Sequence, residues 1–166
     1  MGDYDTELVN VIINTNDEPE IIKDFFMCLT HITFDIFFNK PLGNSLNNFI
    51  NLTHLKFGFN FNQPLGNSLD NLKKLTHLTF GPNFDQQLGN SLNNLKNLTH
   101  LNLGNCDGPF ESSLDNLIKL TYLTIKSSHV KEVLSIKHKL KSLKQITVFE
   151  TNEKIDLSKR NNCLIL

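Results

Sequence analysis

The sequence lacks the marks of secretion, of membrane insertion and of stable cysteine chemistry. Its 166 residues include three cysteines, and this odd, widely spaced set forms neither a disulfide framework nor a CxxC pair for zinc. The N-terminus has no basic-then-apolar signal pattern, and no apolar run is long enough to cross a membrane. These absences predict a protein of a reducing, intracellular compartment.

Catalytic signatures are also missing. No nucleophile–base pair, glycine-rich phosphate loop or HExxH sequence occurs, so we expect neither an enzyme nor a cofactor. The net charge of −1 argues against a general nucleic-acid binder. Charge is nevertheless unevenly spread, because residues 1–28 carry seven acids and one lysine, whereas residues 126–166 carry nine basic and four acidic groups. This distribution predicts an acidic end and a basic end.

A repeat is the main positive feature of the sequence. Segments of the form LxxLx followed by an apolar residue recur with spacings of 23, 23, 23, 22 and 23 residues. A fixed period in this range indicates a solenoid, in which each coil buries its apolar side chains against the next. The segments begin at Leu29, Leu52, Leu75, Leu98, Leu120 and Leu143.

One unit shows what each coil contains. Leu78 and Phe80 are two residues apart, which is the spacing of a strand with one buried face. A turn signal follows at residues 81–83, and the leucines of Ser91–Leu95 suit a short helical turn. The sequence therefore predicts an α/β repeat solenoid like that of leucine-rich repeats. A parallel β-sheet would form one face, and short helical or 3-10 arcs would form the other.

Equivalent positions of successive units form columns. One column is predicted to hold Phe38, Phe61, Phe84 and Cys106, so Cys106 is expected to be a buried packing residue rather than a nucleophile. Asn44, Asn67 and Asn90 form another column. We expect these asparagines to be buried and to hydrogen-bond the backbone of the next coil.

The amino-acid sequence of the central units resembles that of the FNIP repeat family, which is known from social amoebae and from giant DNA viruses that infect amoebae. The similarity lies in Phe61-Asn-Gln-Pro-Leu65, Leu65-Gly-Asn-Ser-Leu69 and Leu75-Thr-His-Leu-Thr-Phe-Gly81, and covers about residues 29–125. The resemblance implies a variant leucine-rich repeat and a protein-interaction module. Some family members carry an N-terminal F-box, but 28 residues before the first clear repeat are too few for one, so the ubiquitin-ligase link is not expected here.

The ends are expected to cap the solenoid. Residues 1–28 would form an N-terminal capping strand and helix, residues 29–148 the repeat solenoid, and residues 149–166 a C-terminal cap or tail. In the first coil, Leu8–Ile13 has the pattern of a strand. The acids and apolar residues of 18–28 have the pattern of a helix.

The outward side of the sheet is the predicted binding face. A histidine recurs at one outward strand position, and such a row would lie across the sheet. No carboxylate or thiolate accompanies it, and parallel side chains do not converge on a tetrahedral ion, so no metal site is predicted. We expect this face to contact a protein partner through His31, His54, Lys56, His77, Thr79, His100, Asn102, Tyr122 and Thr124.

A second hypothesis concerns the last four residues. Cys163-Leu-Ile-Leu166 matches the C-a-a-X prenylation sequence in its geranylgeranyl form, with basic residues just upstream. A prenylated Cys163 would make the chain a peripheral membrane protein, whereas the simpler interpretation is an apolar tail that covers the last coil. The sequence thus predicts a cytoplasmic protein, in the host-cell cytoplasm if viral, with membrane association as the alternative.

Overall fold

The computed structural model describes residues 10–13, 28–110 and 112–158. Within these ranges the chain forms one sheet of eight strands that lie side by side in sequence order. The strands are β1 (Asn10–Ile13), β2 (His31–Phe34), β3 (His54–Lys56), β4 (His77–Thr79), β5 (His100–Asn102), β6 (Tyr122–Ile125), β7 (Gln145–Val148) and β8 (Lys154–Asp156). Neighbours from β1 to β7 are parallel, and β8 runs antiparallel to β7.

The register of the sheet follows the sequence repeat. His54 pairs with His77, and His77 pairs with His100, so each strand begins one repeat after its neighbour. The shorter unit keeps the same register, since His100 pairs with Tyr122. The predicted fold class is therefore confirmed: the chain is a parallel-sheet solenoid of the leucine-rich-repeat type.

The core consists of stacked columns of identical or similar side chains. Leu78 is 1% exposed and lies beside Leu55 and Leu101 of the neighbouring strands. Phe57 stacks on Phe80 with 5.2 Å between ring centroids, and Phe61 stacks on Phe84 at 6.0 Å. One coil has apolar side chains but no interior of its own, so its burial depends on both neighbours.

The arcs opposite the sheet are built from successive turns. Their backbone bonds join residues three apart, as from the N–H of Ser68 to the carbonyl of Leu65 at 3.0 Å and from Leu72 to Leu69 at 3.0 Å. This is the bond of a 3-10 helix, here made one turn at a time. In the described ranges, regular helix occurs as the 3-10 helix Ser127–His129 and as α1 (Val130–Ser135), both after β6.

The prediction of a buried asparagine column at Asn44, Asn67 and Asn90 is wrong, because all three side chains are exposed. Each follows a glycine in the left-handed region; Gly66, for example, has φ +51°. That turn carries the backbone of the next residue outward, and its side chain reaches water instead of the neighbouring coil.

The inter-coil amide ladder instead lies directly after the phenylalanine column. Asn39 Oδ1 accepts the backbone N–H of Asn62 at 2.9 Å, and Asn62 Oδ1 accepts that of Asp85 at 2.9 Å. Asp85 Oδ1 in turn accepts the N–H of Asp107 at 3.0 Å. Each side chain satisfies a turn donor of the following coil, so the hydrogen-bonding role is as expected although different residues perform it.

The two ends differ in how much is described. At the first, the register places Val11 of β1 opposite Ile32, as the repeat spacing predicts. The helix expected within residues 18–28 lies outside the described residues except for Cys28, which is in a turn. Cys163 and its neighbours also lie outside them. At the other end, β8 places Ile155 opposite Ile146, and Ile155 packs against the core.

A pair of substitutions tests the assignment of the strand faces. Leu78→Ala removes a side chain enclosed by two neighbouring coils and should lower the free energy of unfolding by about 2–5 kcal/mol. Thr79→Ala, on the outward face of the same strand, should change it by no more than about 0.5 kcal/mol. Urea unfolding measures both values, and equal stability of the two variants would contradict the assignment.

Close contact between coils should make one glycine intolerant of substitution. A Cβ added at Gly81 would overlap the backbone carbonyl of Gly58 in the preceding coil. Gly81→Ala should therefore destabilise the fold by about 1–3 kcal/mol through overpacking. Gly108→Ala is the control, since its Cβ would meet nothing nearer than 3.6 Å. Thermal unfolding of both variants provides the comparison, and a stable Gly81→Ala variant would mean that the coils are further apart.

Candidate functional site

The predicted binding residues lie together on the outward face of the sheet. Along each strand, outward residues alternate with buried ones, as at Leu55 between His54 and Lys56. The register aligns them in two rows across the sheet. The histidine row is His31, His54, His77, His100 and Tyr122, and the polar row is Thr33, Lys56, Thr79, Asn102 and Thr124.

The side chains of the histidine row stack as a continuous pile of rings. Successive imidazole centroids from His31 to His100 are 4.0, 4.1 and 4.1 Å apart, with interplanar angles of 11–13°. Tyr122 continues the stack at 4.6 Å from His100 and is 40% exposed. The inner rings, His54, His77 and His100, therefore have both faces covered by aromatic neighbours.

A threonine before each histidine fixes its ring. Thr76 Oγ1 donates to the carbonyl of Thr53 at 3.0 Å and lies 2.9 Å from Nδ1 of His77. Because the hydroxyl donates its hydrogen to the carbonyl, its oxygen accepts a hydrogen bond from the Nδ1–H group of His77. The same pair of contacts occurs at Thr53 with His54 and at Thr99 with His100. The three neutral rings thus carry hydrogen on Nδ1.

This tautomer determines what the row presents to a partner. With Nδ1 protonated, Nε2 of each neutral ring is a hydrogen-bond acceptor. Among the described residues, the buried side-chain polar atoms without a partner are Asn93 Oδ1 and His129 Nε2. The Nε2 atoms of His54, His77 and His100 are not among them and have no hydrogen-bond partner within the described residues, so they are open to solvent or to a partner. The face therefore carries a line of acceptors one strand apart, roughly 4.8 Å.

Burial is the main cause of the pKa shifts in the row. It lowers the pKa of His54 to about 4, with smaller contributions from the charges of His77, His31 and His100. Burial also lowers the pKa of His77, followed by the effects of His100 and His31, and it lowers the pKa of His100. The repulsion that a row of like groups suggests is thus secondary to the loss of hydration on stacking. At neutral pH these three rings are uncharged.

The polar row is more varied. Lys56 is exposed and is the basic group beside the histidines, whereas Thr79 and Thr124 are half-buried. Asn102 is partly committed to the fold, because its Oδ1 accepts the backbone N–H of Gly104 at 2.8 Å. Gly104 has φ +57°, and this bond stabilises the turn that follows β5. Asn102 therefore has less freedom toward a partner than the sequence suggests.

The geometry disfavours metal ligation by the histidine row. An imidazole lone pair lies in the plane of its ring, and rings that stack nearly parallel do not direct their lone pairs to one point. In the described part of the chain, no group of three or more histidine, cysteine, aspartate or glutamate side chains is placed to hold an ion. Cys106 is 1% exposed, and burial raises the pKa of its thiol, which suits packing.

The contribution of the threonines was missed by sequence reasoning, although a signal was present. The repeat spacing alone gives Thr76 no role, whereas in the structure its hydroxyl forms an inter-coil hydrogen bond and holds the ring of His77. The signal is the dipeptide Thr-His, which recurs at residues 30–31, 53–54, 76–77 and 99–100. A hydroxyl repeated beside an imidazole at one strand position indicates a paired function.

Comparison with known proteins supports the class of fold. No protein-family model and no curated protein matches the sequence. Among solved structures, an internalin (inlF) from Listeria monocytogenes is similar, with a TM-score of 0.57 and 22% sequence identity. The similarity covers 74% of this chain and 35% of the internalin chain, so this chain spans well under half of that protein. At this identity, the likeness defines a leucine-rich-repeat-like solenoid and nothing finer.

The inner rings of the row, His54, His77 and His100, should titrate below the ordinary range of histidine. We expect His54 to titrate near pH 4. His77→Phe should leave that midpoint low, because a phenyl ring covers the same face of His54. NMR titration of the ring protons measures both. A midpoint that returns to about 6.5 in His77→Phe would show that repulsion, not burial, causes the shift.

Stability should depend on pH for the same reason. A histidine whose folded pKa is depressed binds protons more readily in the unfolded chain, so acidification favours unfolding. The contribution of His54 should be intact above pH 6.5 and be lost progressively as the pH falls toward about 4. Urea unfolding of wild type and His54→Phe across this range isolates the effect. Parallel pH profiles for the two proteins would contradict it.

Proposed function

We propose that the chain is a non-enzymatic, cytoplasmic protein-interaction module that binds a partner protein with the outward face of its sheet. The observation that carries the proposal is the row of stacked imidazoles whose Nδ1 atoms are held by threonine and whose Nε2 atoms remain accessible. The solenoid fold supports it, since solenoids commonly present a broad face in place of a catalytic pocket. The resemblance to FNIP repeats supports the same general role.

The chemistry of the face indicates what the partner offers. A line of Nε2 acceptors calls for donors, such as backbone N–H groups or the side chains of serine, tyrosine, lysine and arginine. Stacking and the threonine bonds hold the rings before binding, so little side-chain entropy is lost when the partner arrives. The polar partner surface is therefore expected to be uncharged or basic, and to match acceptors spaced one strand apart.

Tyr122 gives the face an anchor at one end of the row. Its ring is stacked on His100 and is 40% exposed, which makes it the large aromatic side chain that the described sheet face offers. Aromatic residues with a polar tip are frequent anchors of protein interfaces. Lys56 lies in the other row toward the N-terminal side. The two residues would set the direction in which a partner crosses the strands.

Substitution of the rings tests the proposal. A double variant, His54→Phe with His77→Phe, retains the stack but removes two Nε2 acceptors. Binding of a face-specific partner should weaken roughly three- to tenfold for each hydrogen bond lost. The full chain and its variants would be immobilised and exposed to an amoebal lysate, a source suggested by the FNIP resemblance, and the captured proteins compared by quantitative mass spectrometry.

The matched control is Asn94→Ala, which changes an exposed side chain on the arc opposite the sheet. A partner of the sheet face should be depleted from the double histidine variant and retained by the control. The captured partner should also elute from the wild-type chain when the pH is lowered toward 4, where the His54 ring gains charge. A set of captured proteins that is the same for wild type and the histidine variant, yet depends on Asn94, would place the binding surface on the arc.

A further inference from the structure

The two edges of the sheet differ in charge. The parallel strands β1 to β7 all run from one edge, where the arcs end, to the other, where the loops begin. The first edge carries Lys73, Lys74, Lys96, Lys119, Lys141 and Lys144, and we call it the lysine edge. The second edge carries Asp35, Asp85, Asp107, Glu150 and Glu153, together with Lys40, Lys126 and Lys154, of which Lys126 forms a salt bridge with Asp107. This polarity runs along the strands, at right angles to the acidic-to-basic gradient that the sequence suggests along the solenoid.

Hydrogen bonds between coils make the lysine edge continuous. Lys74 Nζ donates to Asn51 Oδ1 at 2.6 Å, and Lys119 Nζ donates to Asn97 Oδ1 at 2.8 Å. Asn97 Nδ2 donates to the carbonyl of Lys73 at 2.8 Å. These bonds join the edges of successive coils, so the lysines form one ridge rather than scattered surface charges.

The lysines of this ridge form no salt bridge within the described part of the chain. Among the described residues, the salt bridges made by lysine are Lys126 with Asp107 and Lys139 with Asp115. Neither includes a lysine of the ridge, and the acceptors found there are neutral amides. The six ammonium groups therefore stand within a few strand spacings of one another, and no described carboxylate forms a salt bridge with them.

Apolar side chains interrupt the same ridge. The position four residues before each of the strands β3 to β7 holds Ile50, Lys73, Lys96, Ile118 and Lys141 in turn, and all five are exposed. Ile118 is 57% exposed and Ile50 is 44% exposed. The isoleucines thus add exposed aliphatic surface at the same position in the coil that holds lysine in the other units.

We propose that the lysine edge is a docking surface for an anionic lipid bilayer. Lysines attract the negative surface of a leaflet, and aliphatic side chains at the same level enter the interface. A nucleic acid fits less well, because the ridge has no aromatic side chain on which a base could stack. The large exposed phenylalanines, Phe37 and Phe59, lie on the opposite edge. This binding does not require prenylation of Cys163.

The charge polarity would orient the bound protein. Acidic groups of the opposite edge are repelled by the leaflet, so the solenoid would stand with its strands pointing away from the membrane. The face that carries the histidine row would then be lateral and open to the cytoplasm. Membrane docking and partner binding use separate surfaces, and failure of one leaves the other intact.

Vesicle co-sedimentation tests the proposal. The full chain is produced in bacteria, so that Cys163 carries no prenyl group, and mixed with vesicles of phosphatidylcholine alone or of phosphatidylcholine with phosphatidylserine. The protein is expected to bind the anionic vesicles, and this binding should weaken with added salt.

Substitution of three ridge lysines tests their contribution. Lys73→Gln, Lys96→Gln and Lys141→Gln together should lower the partition coefficient about a hundredfold, since each lysine near an anionic leaflet contributes roughly fivefold. Lys40→Gln, Lys131→Gln and Lys154→Gln together form the control, because these lysines are also exposed but lie away from the ridge.

The isoleucines separate a membrane from a soluble polyanion. Ile118→Ser should reduce vesicle binding severalfold, whereas Ile36→Ser, a 55% exposed isoleucine on the opposite edge, should not. Both sites are exposed, so folding should be retained, and circular dichroism would verify it. The proposal is overturned if the anionic vesicles do not bind, if the two lysine triples act alike, or if Ile118→Ser binds as wild type.

Discussion

Each coil can bury its leucines and phenylalanines only against the equivalent residues of its neighbours, and the rest of the structure depends on this constraint. The repeat places Leu78 between Leu55 and Leu101, and it places polar groups in register as a side effect. The histidine row, the threonine bonds and the amide ladder all exist because the apolar columns hold one coil directly above another. A polar side chain on such a scaffold therefore lies beside the equivalent side chains of the neighbouring coils and interacts with them.

The apolar architecture could be predicted from the sequence because burial and period agree at every coil. Placement of polar residues was less predictable. Asn67 and Asn62 have the same side chain and the same repeat, but a left-handed glycine turns Asn67 outward, whereas Asn62 follows the buried Phe61 and reaches the next coil. The repeat spacing shows which residues occupy equivalent positions, but it does not show whether the turn at that position directs a side chain outward or toward the next coil. The tautomer of His77 likewise needed the position of the Thr76 hydroxyl.

The histidine row shows how stacking changes the chemistry of a side chain. An isolated surface histidine is hydrated on both ring faces, whereas His54 has imidazole on each side. The row therefore behaves less as a cluster of charges than as a small aromatic surface with polar rims. The hydroxyl of Thr53 holds Nδ1 of His54 and so leaves Nε2 as the free acceptor of the ring. The dipeptide Thr-His therefore supplies both the inter-coil hydrogen bond and the exposed acceptor.

The reversal of β8 bears on growth of the sheet. A parallel solenoid has two open ends, and a strand of another molecule in the same orientation could extend it indefinitely. β8 folds back through a turn in which Asn152 has φ +57°, and it covers the exposed side of β7 with an antiparallel strand of Lys154, Ile155 and Asp156. An incoming coil of the 23-residue type would meet a strand of the wrong direction with charge at both ends. One hairpin thereby makes this end unsuitable for head-to-tail fibre formation.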